Sequence, residues 1–269
     1  EKDGMQVHAR LQDHALLPVD SLKSSVPLIF ISGSAMNTGK TFAACEVVQR
    51  LTRSGYRVAA AKATGASLMR DVQLIRRHGA VEIATFTDTG VVCSTNKAMA
   101  PQVKGIIKHL NEVADPDVIV IELGDGIIGY YGVDELLQDK ELQKFAKAHI
   151  VAAVDLAGVW AVQQLFKDRY HADITVVTGP VTDNGVGKQY IEQVMGIPAI
   201  NAREDPKDLG DKVASKLPAP KHREEDRGAR PARDRVMDHG DSLSSKCTKG
   251  PLAMEARGAH FGEGSLWRE

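Results

Sequence analysis

Two rhythms of apolar residues alternate along the chain. Short β-branched runs at 26–32, 57–62, 82–86, 118–122, 150–154, 173–178 and 198–200 predict about seven strands. Between them, apolar residues return every three or four positions, which predicts helices. The first such helix runs from Thr41 to Arg53, with Ala44, Val47, Val48 and Leu51 on one face before Ser54 and Gly55 stop it. A second stripe begins near Pro101 and carries Val103, Ile106, Ile107, Leu110 and Val113. A third follows Asp205 and Pro206 with Leu209, Val213 and Leu217. Unbroken alternation from 26 to 217 predicts an α/β domain of right-handed βαβ units. Its central sheet is mostly parallel, with helices on both faces.

The ends read differently. Residues 1–25 show no clear period and are taken as an N-terminal extension or the remnant of a preceding domain. Residues 218–269 are dense in Arg, Asp, Glu, Gly and Pro without sustained apolar spacing, which predicts a disordered C-terminal tail. Whether Phe261 and Trp267 dock back onto the domain is left open.

Composition narrows the class of partner. With 34 basic and 35 acidic residues the net charge is -1, so neither nucleic acid nor a membrane surface is implied as partner. No apolar run reaches the roughly 18 to 20 residues that span a bilayer. The first residues, Glu1, Lys2 and Asp3, do not form a signal h-region, so a cytoplasmic location is expected. Cys45, Cys93 and Cys247 lack the spacing of a disulfide framework or a zinc site. Cys45 falls inside the first helix as a core residue; Cys93 lies in a loop with no histidine partner in view.

The chemistry concentrates where the first strand meets the first helix. An apolar run enters Gly33-Ser34-Ala35-Met36-Asn37-Thr38-Gly39-Lys40-Thr41 and a helix follows, the layout of a phosphate-binding loop. Backbone N–H groups of Gly33, Ser34, Asn37, Thr38 and Gly39 can wrap phosphates beside a helix N-terminus. Lys40 neutralises terminal oxygens, and the Thr41 hydroxyl can ligate Mg2+. The usual spacing would put glycine at 34, yet here it stands one place earlier, at Gly33.

Phosphoryl transfer also needs an acid for the metal and a cation for the acceptor. The run Val118 to Ile121 delivers Glu122 to the C-terminal edge of the sheet, where open α/β sheets bind ligands. Asp125 competes with it for the metal role. The second strand places Lys62 on the same edge, where it can hold an anionic acceptor, and Asp71, early on the next helix, can face the metal. Asp88 could approach the acceptor or close an Asx turn. Asp155 could face the site or cap the helix that carries Trp160.

These segments together resemble dethiobiotin synthetase and its relatives among P-loop NTPases, including the cobyrinic acid amide synthetases. The loop from Gly33 to Thr41 has that family's spacing. Ala61-Lys62-Ala63-Thr64-Gly65 resembles its Lys-Pro-Val-x-[ST]-Gly segment, Asp71 its metal-binding Asp, and Ile121-Glu122-Leu123-Gly124-Asp125-Gly126 its Val-Glu-Gly-Ala-Gly-Gly. The resemblance implies that the loop holds ATP, with GTP as the alternative, and that Thr41, Asp71 and Glu122 hold Mg2+. It also implies catalytic work by Lys40, Lys62 and Glu122.

Several positions depart from the pattern. Met36 and Asn37 stand where the synthetase has a hydroxyl and an acid, and Ala63 replaces a proline. Ala35 lacks the second loop lysine of the partition ATPases, which argues against a dimer driven by that lysine but leaves a homodimer open. Gly179 takes the place of the adenine-contacting Asn, so Asp183 or Asn184 becomes the base-reading candidate.

The expected activity is therefore an ATP- and Mg2+-dependent, synthetase-type transfer of the γ-phosphoryl group to a carboxylate or carbamate of a small anionic metabolite. The alternative is an accessory NTPase switch, similar to the molybdenum-cofactor accessory GTPases, that acts on a partner protein.

Overall fold

In the computed structural model, residues 10–221 are described. They form a six-stranded, wholly parallel sheet of β1 (Leu28–Gly33), β2 (Val58–Thr64), β3 (Glu82–Thr85), β4 (Val118–Leu123), β5 (Ala146–Ala152) and β6 (Val176–Thr178), in the order β3-β2-β4-β1-β5-β6. The helices are α1 (Lys40–Arg53), α2 (Met69–Arg77), α3 (Ala100–Ala114), α4 (Val133–Gln138), α5 (Lys140–Phe145), α6 (Leu156–Leu165), α7 (Gly185–Gln193) and α8 (Pro206–Ala214). No helix among the described residues is long and apolar enough to cross a membrane.

The strand count corrects the expectation of seven. The run at 198–200 contributes a single parallel bridge, Val177 to Ala199. Val177 donates to Pro198 O and Ile200 donates back to Val177 O. Asn201 then turns the chain away, its side-chain oxygen accepting from the Arg203 and Glu204 N–H groups.

Both faces of the sheet are buried, and the strands alternate between two cores. Leu28, Phe30, Ile119 and Ile121 point to one, beside α3 and α6; Ile29, Ile31, Val118 and Val120 point to the other, beside α1 and α8. In β2 the inner residues are Ala59, Ala60, Ala61 and Ala63, all within 1% of complete burial. Small side chains there let the covering helices approach closely.

Residues 15–25 run along α3. Leu16 N donates to Asp88 O and Val19 N to Pro101 O, and Leu22, 4% exposed, enters the core. A Cβ at Gly105 would lie 2.4 Å from Leu17 O, so α3 carries glycine where this strap crosses. Buried Lys104 reaches Asp139 at 2.9 Å, Glu141 at 2.8 Å and Asp20 O at 3.3 Å. The other flank of the domain also continues past α8. Pro218 O accepts from the Tyr56 hydroxyl, and Lys221 N donates to Asp117 Oδ1. The rest of the expected tail, with Cys247, Phe261 and Trp267, lies outside the described residues.

One buried ring makes the fold acid-sensitive. His149 of β5 stacks on Phe30 with centroids 5.6 Å apart and meets Phe166 edge-on at 5.2 Å. Burial pulls its pKa from the ordinary 6.5 down to about 4. The folded protein therefore keeps His149 neutral while the unfolded chain takes up a proton as pH falls through 6.5. Its contribution to stability is intact above that pH and is lost progressively toward pH 4, by about 3 kcal/mol. Denaturant unfolding at pH 7 and pH 4.5 is expected to show this loss, and His149→Phe is expected to flatten it.

Candidate functional site

The C-terminal ends of β1, β2 and β4 meet around one cleft of about 520 Å3. Its floor is the loop between β1 and α1. At Gly33 an added Cβ would fall 2.5 Å from Thr38 Oγ1 and 3.0 Å from Ala152 O, so the loop can fold back only over a bare α-carbon. Asn37 and Gly39 take left-handed conformations, φ 58° and 90°, which turn the backbone into α1. β5 and the segment after β4 fix the loop from both sides: Ser34 N donates to Ala152 O, and Ile127 N donates to Gly33 O.

Lys40 opens α1 and is only 5% exposed. Its ammonium donates to Ala35 O at 2.8 Å, spanning the loop where a phosphate chain would sit. Burial lowers the Lys40 pKa, and the charges of Glu122 and Asp125 work against that shift. The Thr41 hydroxyl, one residue on, donates to Glu122 Oε1 at 3.0 Å.

Glu122 sits near the end of β4, in register with Ile31 on one side and Lys62 on the other. It is 3% exposed and its second oxygen, Oε2, has no partner. Burial raises its pKa, while Lys62 and then the Thr41 hydrogen bond pull it back. A buried, half-satisfied carboxylate is costly unless something else completes it. Lys62 and Asp71, both inside the cleft, form an ion pair with side chains 8% and 14% exposed.

Thus Lys40, Thr41, Lys62, Asp71 and Glu122 share the cleft, and so does Asp125, which is half-buried with φ 72°. Thr41, Glu122 and Asp71 are hard oxygen donors, and the free Oε2 is a vacant ligand position, so this set fits Mg2+ completed by phosphate and water. Among the described residues no group of three or more His, Cys, Asp or Glu could hold a metal by itself. A Mg2+ carried in with phosphates needs none.

Other candidates fall to structural roles. Asp88 Oδ2 accepts from Thr85 N at 2.7 Å and closes a short turn. Asp155 caps α6 through Gly158 N at 2.7 Å, and Asn184 caps α7 through Gly187 N at 2.8 Å. Cys93 Sγ lies 3.1 Å from the Thr95 hydroxyl. Cys45 is buried in the core of α1.

Three site features depend on contacts between residues far apart in the chain. Ser94 Oγ accepts from Gly65 N and donates to Tyr131 O, both at 2.8 Å, tying the loops after β2 and β4 together. Asn201 hydrogen-bonds beside the loop that follows β6. Phe42 and Arg203 face each other, 5.9 Å apart. The position of Asn201, just past an apolar run on the same sheet edge, was the available signal for the last two.

No family model and no curated protein matches the chain. Solved structures with similarity include a chloroplast FtsY from Physcomitrella patens, 17% identical with TM-score 0.48, over 77% of this chain and 70% of that one. The hydrogenase maturation factor HypB from Archaeoglobus fulgidus is 17% identical with TM-score 0.39, over 73% and 79%. A DUF1611 family protein from Anabaena variabilis is 11% identical with TM-score 0.48, and the 74% of this chain that aligns spans 61% of it. None of the three is a dethiobiotin synthetase. The likenesses concern architecture alone, and the α/β fold with its phosphate-type loop rests on the sheet order and loop geometry above.

Gly33→Ala is expected to force the loop away from Thr38, because the new methyl meets the hydroxyl oxygen well inside contact distance. Unfolding should stay cooperative, while affinity for a nucleoside triphosphate, measured by titration calorimetry, should fall by about ten-fold or more.

Proposed function

We propose that the chain binds a nucleoside triphosphate in the loop from Gly33 to Thr41 and, with Mg2+, transfers the γ-phosphoryl group to a carboxylate or carbamate of a small anionic metabolite. The reaction is of the dethiobiotin synthetase type. The observation that carries this reading is the unpartnered Glu122 Oε2, buried beside the Thr41 hydroxyl and one strand from Lys62.

In this reading the loop N–H groups hold the β- and γ-phosphates, and Lys40 exchanges Ala35 O for a terminal phosphate oxygen. Thr41 and Glu122, with Asp71 beside them, would hold Mg2+, which would supply positive charge against the phosphate oxygens. Lys62 holds the anionic acceptor as a point charge. An acceptor oxygen lone pair forms the new P–O bond as the bond to the β,γ-bridging oxygen breaks, and the nucleoside diphosphate leaves with that electron pair. Burial of Lys40, Lys62 and Glu122 excludes water and strengthens each of these contacts.

A second reading, a nucleotide-gated switch acting on a partner protein, draws on exposed apolar side chains within the loop and after β4. Met36 is 59% exposed, Ile128 71% and Tyr130 77%. A switch needs such a surface; a small-molecule transferase does not.

The variants divide the roles. Lys40→Ala should weaken triphosphate binding by about ten-fold or more in a folded protein. Glu122→Gln and Asp71→Asn should retain nucleotide yet lower Mg2+-dependent phosphate release by about a hundred-fold. Lys62→Met should abolish metabolite-stimulated release and spare nucleotide binding. If stimulated release survives that change while a partner protein is captured in the triphosphate state, the switch reading replaces the transferase.

A further inference from the structure

The charge that Lys62 would offer an anionic acceptor is already taken in the folded chain. Its ammonium donates to Asp71 Oδ2, in a pair whose side chains are 8% and 14% exposed. An ammonium has hydrogens to spare for a second anion but only one charge to share. A carboxylate brought up to Lys62 would stand beside Asp71, and the two like charges would repel in a cleft that screens them poorly. Lys62 is therefore masked for as long as Asp71 stays on it.

The two partners are held with unequal firmness. Lys62 lies near the end of β2 with its stem in a slot left by two glycines: a Cβ at Gly124 would come within 3.2 Å of Lys62 Cε, and one at Gly65 within 3.8 Å. The chain that follows is tied down step by step, Thr64 Oγ1 to Gly124 O, Gly65 N to Ser94 Oγ and Ser67 N to Val92 O. At Leu68 the footing changes. Leu68 caps α2 without a side-chain hydrogen bond, it and Met69 are more than half exposed, and the Arg70 side chain stands in solvent. Helix α2 is anchored in the core by Val72 and Ile75. Asp71 thus rides on the loosely held first turn of α2, where its other oxygen lies 3.9 Å from Arg70 Nε.

Only a stronger cation can draw Asp71 away from Lys62. Under the proposed function such a cation enters the same cleft. Glu122, with its free Oε2, is in register with Lys62 on the adjoining strand, and Asp71 lines the cleft with them. The three charges interact across a short gap: burial raises the Glu122 pKa, Lys62 and the Thr41 hydrogen bond lower it, and Asp71 raises it again. Asp71 gains more from a doubly charged metal beside Glu122 than from the single charge of Lys62. Once Asp71 has turned away, Lys62 is a buried cation without a counter-ion, which an arriving anion satisfies.

We infer that Asp71 is a positioning residue that keeps Lys62 masked until Mg2+ enters with the triphosphate, so that the nucleotide binds first and the anionic acceptor second. The inference rests on the proposed function of the cleft and adds an order to it. By linkage, metal-bound nucleotide raises the affinity for an acceptor anion, and the anion raises that for the nucleotide by the same factor.

The test is a fluorine NMR titration of trifluoroacetate, a bare carboxylate probe, into the full chain. The reference is the double variant Lys62→Met with Asp71→Asn, which removes both charges of the pair and leaves neither buried alone. Probe binding present in a chain that keeps Lys62 and lost in the reference is binding at Lys62. Without nucleotide, the wild type is expected to show none and Asp71→Asn is expected to show it. With Mg2+ and a non-hydrolysable triphosphate, the wild type is expected to bind the probe at Lys62 about ten-fold or more tightly than without them. Equal binding at Lys62 in the two states of the wild type, or none in either, would overturn the inference, and so would a folded Asp71→Asn chain that binds no probe without nucleotide. If Asp71→Asn does not fold, the comparison of the two wild-type states decides alone. Calorimetric binding of the triphosphate that is weakened by Lys40→Ala leaves the nucleotide reading standing in each of these cases. Triphosphate binding that is absent, or indifferent to Lys40→Ala, would remove that reading and this inference with it.

Discussion

Buried charge at one edge of the sheet is the constraint on which the candidate site depends. Lys40, Lys62 and Glu122 are each less than a tenth exposed, and charges so placed must find partners close at hand. The chain solves most of this internally: Lys62 pairs with Asp71, Lys40 bonds a loop carbonyl, and Thr41 satisfies one oxygen of Glu122. The other oxygen is left over. An arrangement that balances all but one group is poised for a ligand carrying the missing charges. A cation would complete Glu122, and phosphate would give Lys40 a stronger partner than Ala35 O. Binding would therefore relieve a desolvation cost already built into the fold.

The rest of the architecture holds that edge in place. Parallel pairing brings the C-terminal ends of β1, β2 and β4 together, so residues from widely separated parts of the chain share a register: Ile31 beside Glu122, and Glu122 beside Lys62. Side-chain clamps then fix the loops those strands release. Thr64 Oγ1 donates to Gly124 O at 2.9 Å, and a Cβ at Gly124 would meet Thr64 O at 2.2 Å, so the β2 and β4 loops touch backbone to backbone. Ser94 closes the same junction from the far side.

Periodicity and local chemistry made the strands from 26 to 178, the first helix and the phosphate-type loop legible, because each is set by residues near one another in the chain. The seventh strand failed for a reason that is not local: pairing depends on where Asn201 sends the chain, and its hydrogen bonds go to residues 182 and 183. Lys62 and Asp71 could each be suspected from the chain, but their mutual ion pair depends on how α2 returns to β2. The strap at 15–25 has no period to detect because it is held by single contacts, Leu22 in the core and backbone bonds to Asp88 and Pro101. The pairing of Phe42 with Arg203 joins α1 to the segment before α8, across more than half of the described chain.

The displaced glycine of the loop has a structural cause. Residue 33 is the last of β1, and its α-carbon faces Thr38 and the backbone of β5 closely enough that no side chain fits. Residue 34 is turned the other way. Ser34 Oγ accepts from Val154 N at 3.4 Å, and its side chain lies against α6 at Gly158, where a Cβ would come within 3.0 Å of Ser34 Cβ. Room for the serine is thus made by a second glycine more than a hundred residues away. Placing glycine at 33 and serine at 34 moves the bare position from the loop into the strand, and Gly158 accommodates the consequence. The loop spacing and the sequence of α6 are in this sense one feature, coupled by steric contact through the start of the helix that follows β5.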